Sequence, residues 1–344
     1  MRQARIYQYT LPVTAGLFLR DQRLTQREGL VVELSEGAQR GWGEIAPLPG
    51  FSQETFAEAR HALIAATAVW CDHRNIAMPQ LPPSVAWGLS IAQAELDQRL
   101  PTPSSFQTVP VCTGDPDALF AALGHVSDGP HSDGPHSGGP HSDDPSDEAK
   151  VKVGEYEVAR DRLMVTTLLD AIPHLRLRLD ANRRWRPEQL AAFWCGLSQA
   201  HQARISWIEE PCRDPYQSLA QAEALGVPLA WDETLRDSDD TGLKESDHVR
   251  TWVIKPTMMG DFAQVSQSVT RAHALGKIAV ISSSLETSLG LTQLSRVASS
   301  LTPNVVPGLD TLGVFEQQLD RTWPGANQPL IPLDDQPLIW VNTL

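Results

Sequence analysis

The chain has 344 residues, 41% hydrophobic and 20% charged, enough to bury a large core as one large domain with a smaller companion. Its formal net charge of -14 and pI near 5.1 repel phosphate backbones and anionic lipid surfaces, so nucleic acid and membrane are set aside as partners. The opening residues Met1-Arg-Gln-Ala-Arg-Ile-Tyr lack the apolar core of a signal peptide, and the apolar stretch 62–71 is too short to span a bilayer, so a cytoplasmic location is expected. Cys71, Cys112, Cys195 and Cys212 show neither a CxxC pair nor zinc-ligand spacing and read as reduced thiols.

In chain order, residues 1–103 read as a small α+β domain with strands near 5–11 and 30–34. A helix follows, with Ser52 as its cap, Glu54 in its first turn, and Phe56, Ala59, Leu63 and Ile64 at helical spacing. Pro101-Thr-Pro-Ser-Ser reads as a linker.

From residue 104 to 320, short apolar runs alternate with longer helical patterns, the signature of consecutive βα units. Eight strands are expected, at 109–112, 150–153, 175–180, 205–209, 228–232, 251–255, 278–282 and 304–309. One helix between them is plain: Phe262, Val265, Val269 and Ala272 line one face, and Gly276 ends it. Eight such units fit a (β/α)8-type barrel, and no glycine-rich dinucleotide fingerprint appears. Residues 125–148, in which Pro-His-Ser recurs at Pro130, Pro135 and Pro140, read as a low-complexity insertion. Falling between a helix and the next strand, it is placed on the barrel face away from the active site, and metal binding by its histidines is the lesser reading.

Active sites in such barrels assemble at the carboxyl ends of the strands. There the expected strands carry Lys150 and Lys152, Asp180, Glu209, Asp232 and Lys255. One acid alone reads as a helix cap or an arginine partner. Three on adjacent strands repel one another unless a cation lies between them, and hard oxygen ligands suit Mg²⁺ or Mn²⁺ over zinc. An ammonium is a poor base at neutral pH unless nearby positive charge and desolvation ease its deprotonation, and Lys150 supplies that charge to Lys152. Strand alternation also turns Arg176 and Arg178 to the side of Asp180, with partners that the sequence does not name.

Lys150-Val-Lys152, Leu179-Asp-Ala-Asn182 with Trp185, Ile208-Glu-Glu-Pro211, Trp231-Asp-Glu233 and Ile254-Lys-Pro256 together resemble the ordered signatures of the enolase superfamily, in its muconate-lactonizing subgroup. With Gly41-Trp-Gly-Glu44, Pro47-Leu-Pro-Gly-Phe-Ser52, Ser282-Ser-Ser-Leu-Glu286 and Pro307-Gly-Leu-Asp310, the likeness narrows to one family of menaquinone-biosynthesis lyases in enteric-type bacteria. It covers nearly the whole chain apart from the Pro-His-Ser tract. The resemblance implies an α/β, enolase-like fold: residues 1–103 capping a modified (β/α)8 barrel, and residues 321–344 packing back on the cap. It also implies Mg²⁺, with Mn²⁺ as an alternative, bound by Asp180, Glu209 and Asp232.

On the same resemblance, Lys152 is the general base and Lys255 stabilises the intermediate. Lys150, Asn182, Ser282, Ser283, Gly308 and Arg20 contact substrate, Arg20 from a cap loop at 16–24 that also carries Arg23. The implied reaction is syn dehydration of a small carboxylate, 2-succinyl-6-hydroxy-2,4-cyclohexadiene-1-carboxylate, to 2-succinylbenzoate. A monomer or small homo-oligomer is expected. Met258-Met259 and Leu285 depart from the family pattern and bear on the substrate pocket. Lysines on opposite faces also suit an N-succinylamino acid racemase or dipeptide epimerase, and the amino-terminal motifs favour the lyase. A non-catalytic binding barrel would have lost one of these acids or lysines, and none is missing.

Overall fold

The computed structural model describes residues 1–14, 18–19, 22–102, 106–114, 117, 119–120 and 147–342. Arg20 and most of the Pro-His-Ser tract lie outside them. The amino-terminal part is an antiparallel sheet built on β1 (Arg2–Pro12), β2 (Gln26–Glu36) and β3 (Gln39–Ile45). Helices α1 (Phe56–Cys71) and α2 (Pro83–Leu96) cover it, with Ile6, Val32, Leu34, Leu63, Trp70 and Leu89 buried between. Gly41 and Gly43 let α2 lie directly on β3: a Cβ there would stand 2.1 Å from the Ala92 carbonyl oxygen and 1.8 Å from that of Gly88.

The first helix begins later than Ser52. Thr55 is its cap, in a reciprocal capping box with Glu58. The Ser52 hydroxyl instead accepts from Leu48 N at 2.8 Å, closing the preceding turn, and Glu54 accepts from Ser84 N at 2.9 Å.

The barrel strands follow as β4 (Val111–Cys112), β5 (Glu148–Lys152), β6 (Arg176–Asp180), β7 (Ile205–Glu209), β8 (Leu229–Trp231), β9 (Val249–Ile254) and β10 (Ile278–Ile281). They form one parallel sheet in sequential order, with α3 (Val158–Ala171), α4 (Pro187–Cys195), α5 (Pro215–Leu225), α6 (Phe262–Ala274) and α7 (Ser288–Leu301) among the helices between and after them. On α6 the expected Val265, Val269 and Ala272 are buried, and Gly276 takes the left-handed φ of 69° that ends the turn.

The eighth expected strand is a correction. Residues 304–309 make one bridge, Ser282 to Gly308, because Pro307 has no N–H to give a ladder. The segment still closes the barrel: Gly308 N donates to Ile281 O at 2.9 Å, and Val109 N donates to Pro307 O at 3.1 Å. Glu148, counted above with the insertion, begins β5. It pairs with Arg178, whose guanidinium lies 4.6 Å over the Trp207 ring and donates to Val306 O at 2.8 Å. That supplies the buried arginine's missing partner.

At the carboxyl-terminal end, β11 (Leu338–Asn342) returns to pair antiparallel with β1. The two parts are locked at their junction by buried groups. Glu44, at the end of β3, accepts from Tyr9 Oη (2.6 Å), Gly290 N (2.9 Å) and Thr287 N (3.0 Å). Among the described residues no helix is long and apolar enough to cross a membrane.

Candidate active site

The barrel interior fixes the site by strand parity. Trp207, Ala230, Val253 and Val280 form one buried cluster inside the barrel. Alternate residues of a strand share a face, so two positions further along each strand the same side carries Glu209, Asp232, Lys255 and Ser282. Register extends this row, since Lys152 pairs with Asp180 and Asp180 with Glu209. Lys152, Asp180, Glu209, Asp232 and Lys255 therefore stand in one layer, and one step below them Lys150 and Arg178 share the level of the apolar cluster.

Lys152 Nζ donates to Asp180 Oδ2 at 2.6 Å and to Asn182 Oδ1 at 3.0 Å. Lys150 Nζ lies 2.7 Å from both Asp180 Oδ2 and Glu209 Oε2, and Lys255 Nζ donates to Asp232 Oδ2 at 2.5 Å. The Lys152 side chain is 29% exposed, against 15% for Lys150 and 17% for Lys255, which makes it the most exposed of the three lysines. Asn182 takes a left-handed φ of 46°, which folds it back so that its N–H reaches Asp180 Oδ1 at 3.0 Å.

Electrostatics follow from burial and these pairings. Burial would raise Asp180, but the Lys150 and Lys152 ammoniums outweigh it and hold the carboxyl well below the usual range. Glu209 is pushed up to about 7 by burial and by the charge of Asp180, with Asp232 adding to it. Burial opposes the charge on Lys150, yet Asp180 and Glu209 hold that amine well above its ordinary value. Asp232 and Glu233 do the same for Lys255.

Among the described residues no group of three His, Cys, Asp or Glu side chains stands close enough to hold a metal ion as placed; each acid is turned to a lysine. The donor set nevertheless fits a hard divalent cation. Three buried carboxylates occupy successive strand ends, Asp232 Oδ1 is buried without a hydrogen-bond partner, and burial together with Asp180 and Asp232 raises Glu209 despite the nearby lysines.

Of the remaining expected residues, Ser282 Oγ donates to Gly308 O at 3.2 Å and Ser283 Oγ shares a hydrogen bond with Thr311 Oγ1 at 2.8 Å. They lie at the same rim, where β10 meets the closing segment. Arg20 lies outside the described residues.

Sequence reasoning passed over a supporting layer. Glu210 is fully buried and accepts from Asp232 N at 3.0 Å, Thr234 N at 2.7 Å, Thr234 Oγ1 at 2.9 Å and Arg183 Nε at 2.9 Å. It thus ties the Asp232 backbone to the end of β7. The available signal was the Glu-Glu doublet before Pro211: the second acid of a strand-end pair points away from the site and needs its own partner. Glu233 is likewise pushed up to about 7, by burial and then by Asp232. Arg236 stands 3.6 Å from Asp232 Oδ1.

A capped parallel barrel with acids and opposed lysines at its strand ends defines an enolase-type enzyme. The family model described as MenC, N-terminal domain matches residues 1–96, and the model described as Enolase C-terminal domain-like matches residues 143–337. The o-succinylbenzoate synthase of Aliivibrio salmonicida is 44% identical over 340 residues, covering 99% of each chain. That of Klebsiella pneumoniae is 46% identical over 334 residues, covering 97% of this chain and 98% of its own. The chain belongs to the o-succinylbenzoate synthase family of the enolase superfamily.

Solved structures share the fold at lower identity. The o-succinylbenzoate synthase of Thermosynechococcus elongatus, complexed with Mg in its active site, is 22% identical with a TM-score of 0.66, covering 89% of this chain and 92% of its own. The L-Ala-D/L-Glu epimerase of Bacillus subtilis is 17% identical with a TM-score of 0.73, covering 99% of both.

Proposed function

We propose that this chain catalyses the Mg²⁺-dependent syn dehydration of 2-succinyl-6-hydroxy-2,4-cyclohexadiene-1-carboxylate to 2-succinylbenzoate in menaquinone biosynthesis. It acts in the cytoplasm as a monomer or small homo-oligomer. One observation carries the reading: Lys152, Asp180, Glu209, Asp232 and Lys255 share a single layer above the barrel floor, in a chain related over its whole length to o-succinylbenzoate synthases.

Asp180, Glu209 and Asp232 would hold the divalent ion, Mg²⁺ in the first instance and Mn²⁺ as a substitute. When bound, it would supply Lewis-acid stabilisation of the charge that develops on the substrate carboxylate. Lys152, the most exposed of the three lysine side chains, takes the proton next to that carboxylate. Lys255, on the opposite side of the layer, presents its ammonium to the electron density left behind. That density is greater in the transition state than in the substrate, so the interaction lowers the barrier rather than only tightening binding. The Lys152 ammonium then returns its proton to the β-hydroxyl on the same face, the C–O bond breaks, and water leaves. Formation of the aromatic ring makes this second step downhill.

Asn182, 3.0 Å from Lys152 Nζ, orients the base. Lys150, locked between two acids, fixes their geometry. Ser282, Ser283, Gly308 and Arg20 are assigned to the remote part of the substrate.

The same two lysines would serve a two-base epimerisation, so the test runs both reactions. Loss of the diene absorbance of the cyclohexadiene carboxylate is followed with purified protein and Mg²⁺, beside racemisation of an N-succinylamino acid. Efficient dehydration supports the reading; racemisation without dehydration sinks it.

A further inference from the structure

The turn at residues 282–287 carries Ser282 and Ser283 at the rim and is anchored on two sides. Toward the amino-terminal part, Arg27 Nε donates to Leu285 O at 3.2 Å, and Glu44 accepts from Thr287 N at 3.0 Å and Thr287 Oγ1 at 2.9 Å. Leu285 holds a left-handed φ of 62°, a strained shape for a leucine that these contacts enforce. Toward the barrel, one side chain makes the tie. Glu286 Oε1 accepts from Thr257 Oγ1 at 2.5 Å, and its Oε2 accepts from Ser284 N at 2.6 Å. Thr257 sits in the short turn Pro256–Met258, which starts directly after Lys255.

Both Glu286 and Thr257 are 1% exposed, so a carboxyl group has been taken out of water to join two loops. Closing its own turn needs only the Ser284 bond. The second oxygen reaches to the neighbouring strand end, where it holds the residue two positions past Lys255. Beyond Ile254 and Ser282, whose backbones are still paired at 2.8 Å, this side chain joins the two turns by a hydrogen bond.

We propose that Glu286 is a positioning residue for the reaction: it is a strut that sets the turn bearing Lys255 against the turn bearing Ser282 and Ser283. It thereby fixes where the Lys255 ammonium stands over the substrate. The inference rests on the dehydration reading given above. Because Arg27 and Glu44 hold the serine turn independently, loss of the strut leaves the Lys255 turn held only by its packing on α2 and lets it shift, and the defect falls on kcat rather than KM. Burial raises the Glu286 carboxyl above its ordinary value, Thr257 draws it back, and Glu44 pushes with burial, so a neutral amide is a close stand-in. A glutamine can accept from Ser284 N while its amide donates to a rotated Thr257 hydroxyl.

The test is steady-state dehydration by wild type, Glu286→Ala, Glu286→Gln and Thr257→Val at saturating Mg²⁺, with a thermal melt of each. Glu286→Ala and Thr257→Val are expected to lower kcat at least about tenfold with KM within about threefold, and Glu286→Gln to recover kcat to within about threefold of wild type. Wild-type kcat in Thr257→Val, a KM that rises in step with the loss, or a glutamine as poor as alanine overturns the strut. If Glu286→Ala fails to fold, Thr257→Val decides alone, since it keeps the Ser284 bond and the side-chain shape. A wild type inactive on this substrate sinks the dehydration reading and the strut with it; an active wild type with unaffected variants sinks the strut only.

Discussion

Glu95 holds three parts of the chain together, and replacing it by glutamine measures that junction. Its Oε1 accepts from Arg296 Nη1 at 3.0 Å and Arg321 Nη1 at 2.7 Å; its Oε2 accepts from Arg321 Nη2 at 2.8 Å and Trp42 N at 3.1 Å. An amide can meet only some of these donors and leaves two guanidiniums facing an uncharged group. Removing one partner of a fully buried pair costs about 3–5 kcal/mol. Arg296 and Arg321 are 24% and 23% exposed, so solvent screens part of this and about 2–3 kcal/mol is expected. At roughly 2 °C per kcal/mol for a chain of this size, Glu95→Gln should melt about 4–6 °C below wild type at pH 7.

The pH dependence has a definite sign. Burial would raise Glu95, but its bonds to Arg321 outweigh that and hold the folded carboxyl below the unfolded value of 4.5. Such a group contributes fully above pH 4.5 and progressively loses its contribution as pH falls toward the depressed folded value. The gap in melting temperature between wild type and variant, read by circular dichroism at one scan rate, should therefore be constant from pH 7 to pH 5 and narrow below pH 4.5. A gap under about 1 °C at pH 7, or one that widens in acid, would mean that the Glu95 charge does not hold this junction.

Glu210→Gln disturbs the outer support of Asp232 without touching the layer itself, and weakens Mg²⁺ binding by about 10–100-fold in titration calorimetry. Unchanged affinity would show that the Asp232 backbone needs no such tie. Gly290→Ala places a Cβ 2.3 Å from Glu44 Oε2 and 2.8 Å from Glu286 Cβ. It should destabilise the protein by about 1–3 kcal/mol in a urea titration, and a neutral result would mean that the junction is looser than drawn.

Strands and their terminal residues were legible because a parallel barrel buries both faces, which leaves short apolar runs, and because the acids and lysines sit where those runs stop. Glu209, ending a strand read to the residue, is the clearest case. The closing segment was not legible, since Leu309 and Val306 give it a strand's hydrophobicity while Pro307 limits it to a single bridge. Ser52 and Thr55 are both good caps; the Glu58 three residues after Thr55 marks the right one. Glu44, Glu286 and the partner of Arg178 depend on contacts between residues far apart in the chain, and no local spacing encodes those. The Glu44 bond to Thr287 alone spans 243 positions.

In the proposed reaction everything begins with Lys152 taking the proton. Single-turnover dehydration by Lys152→Ala at saturating substrate and Mg²⁺, beside a melt and a Mg²⁺ titration of the same variant, tests it directly. Turnover is expected at least about 1,000-fold below wild type, with folding and Mg²⁺ affinity preserved. Dehydration at a wild-type rate in that variant would contradict it.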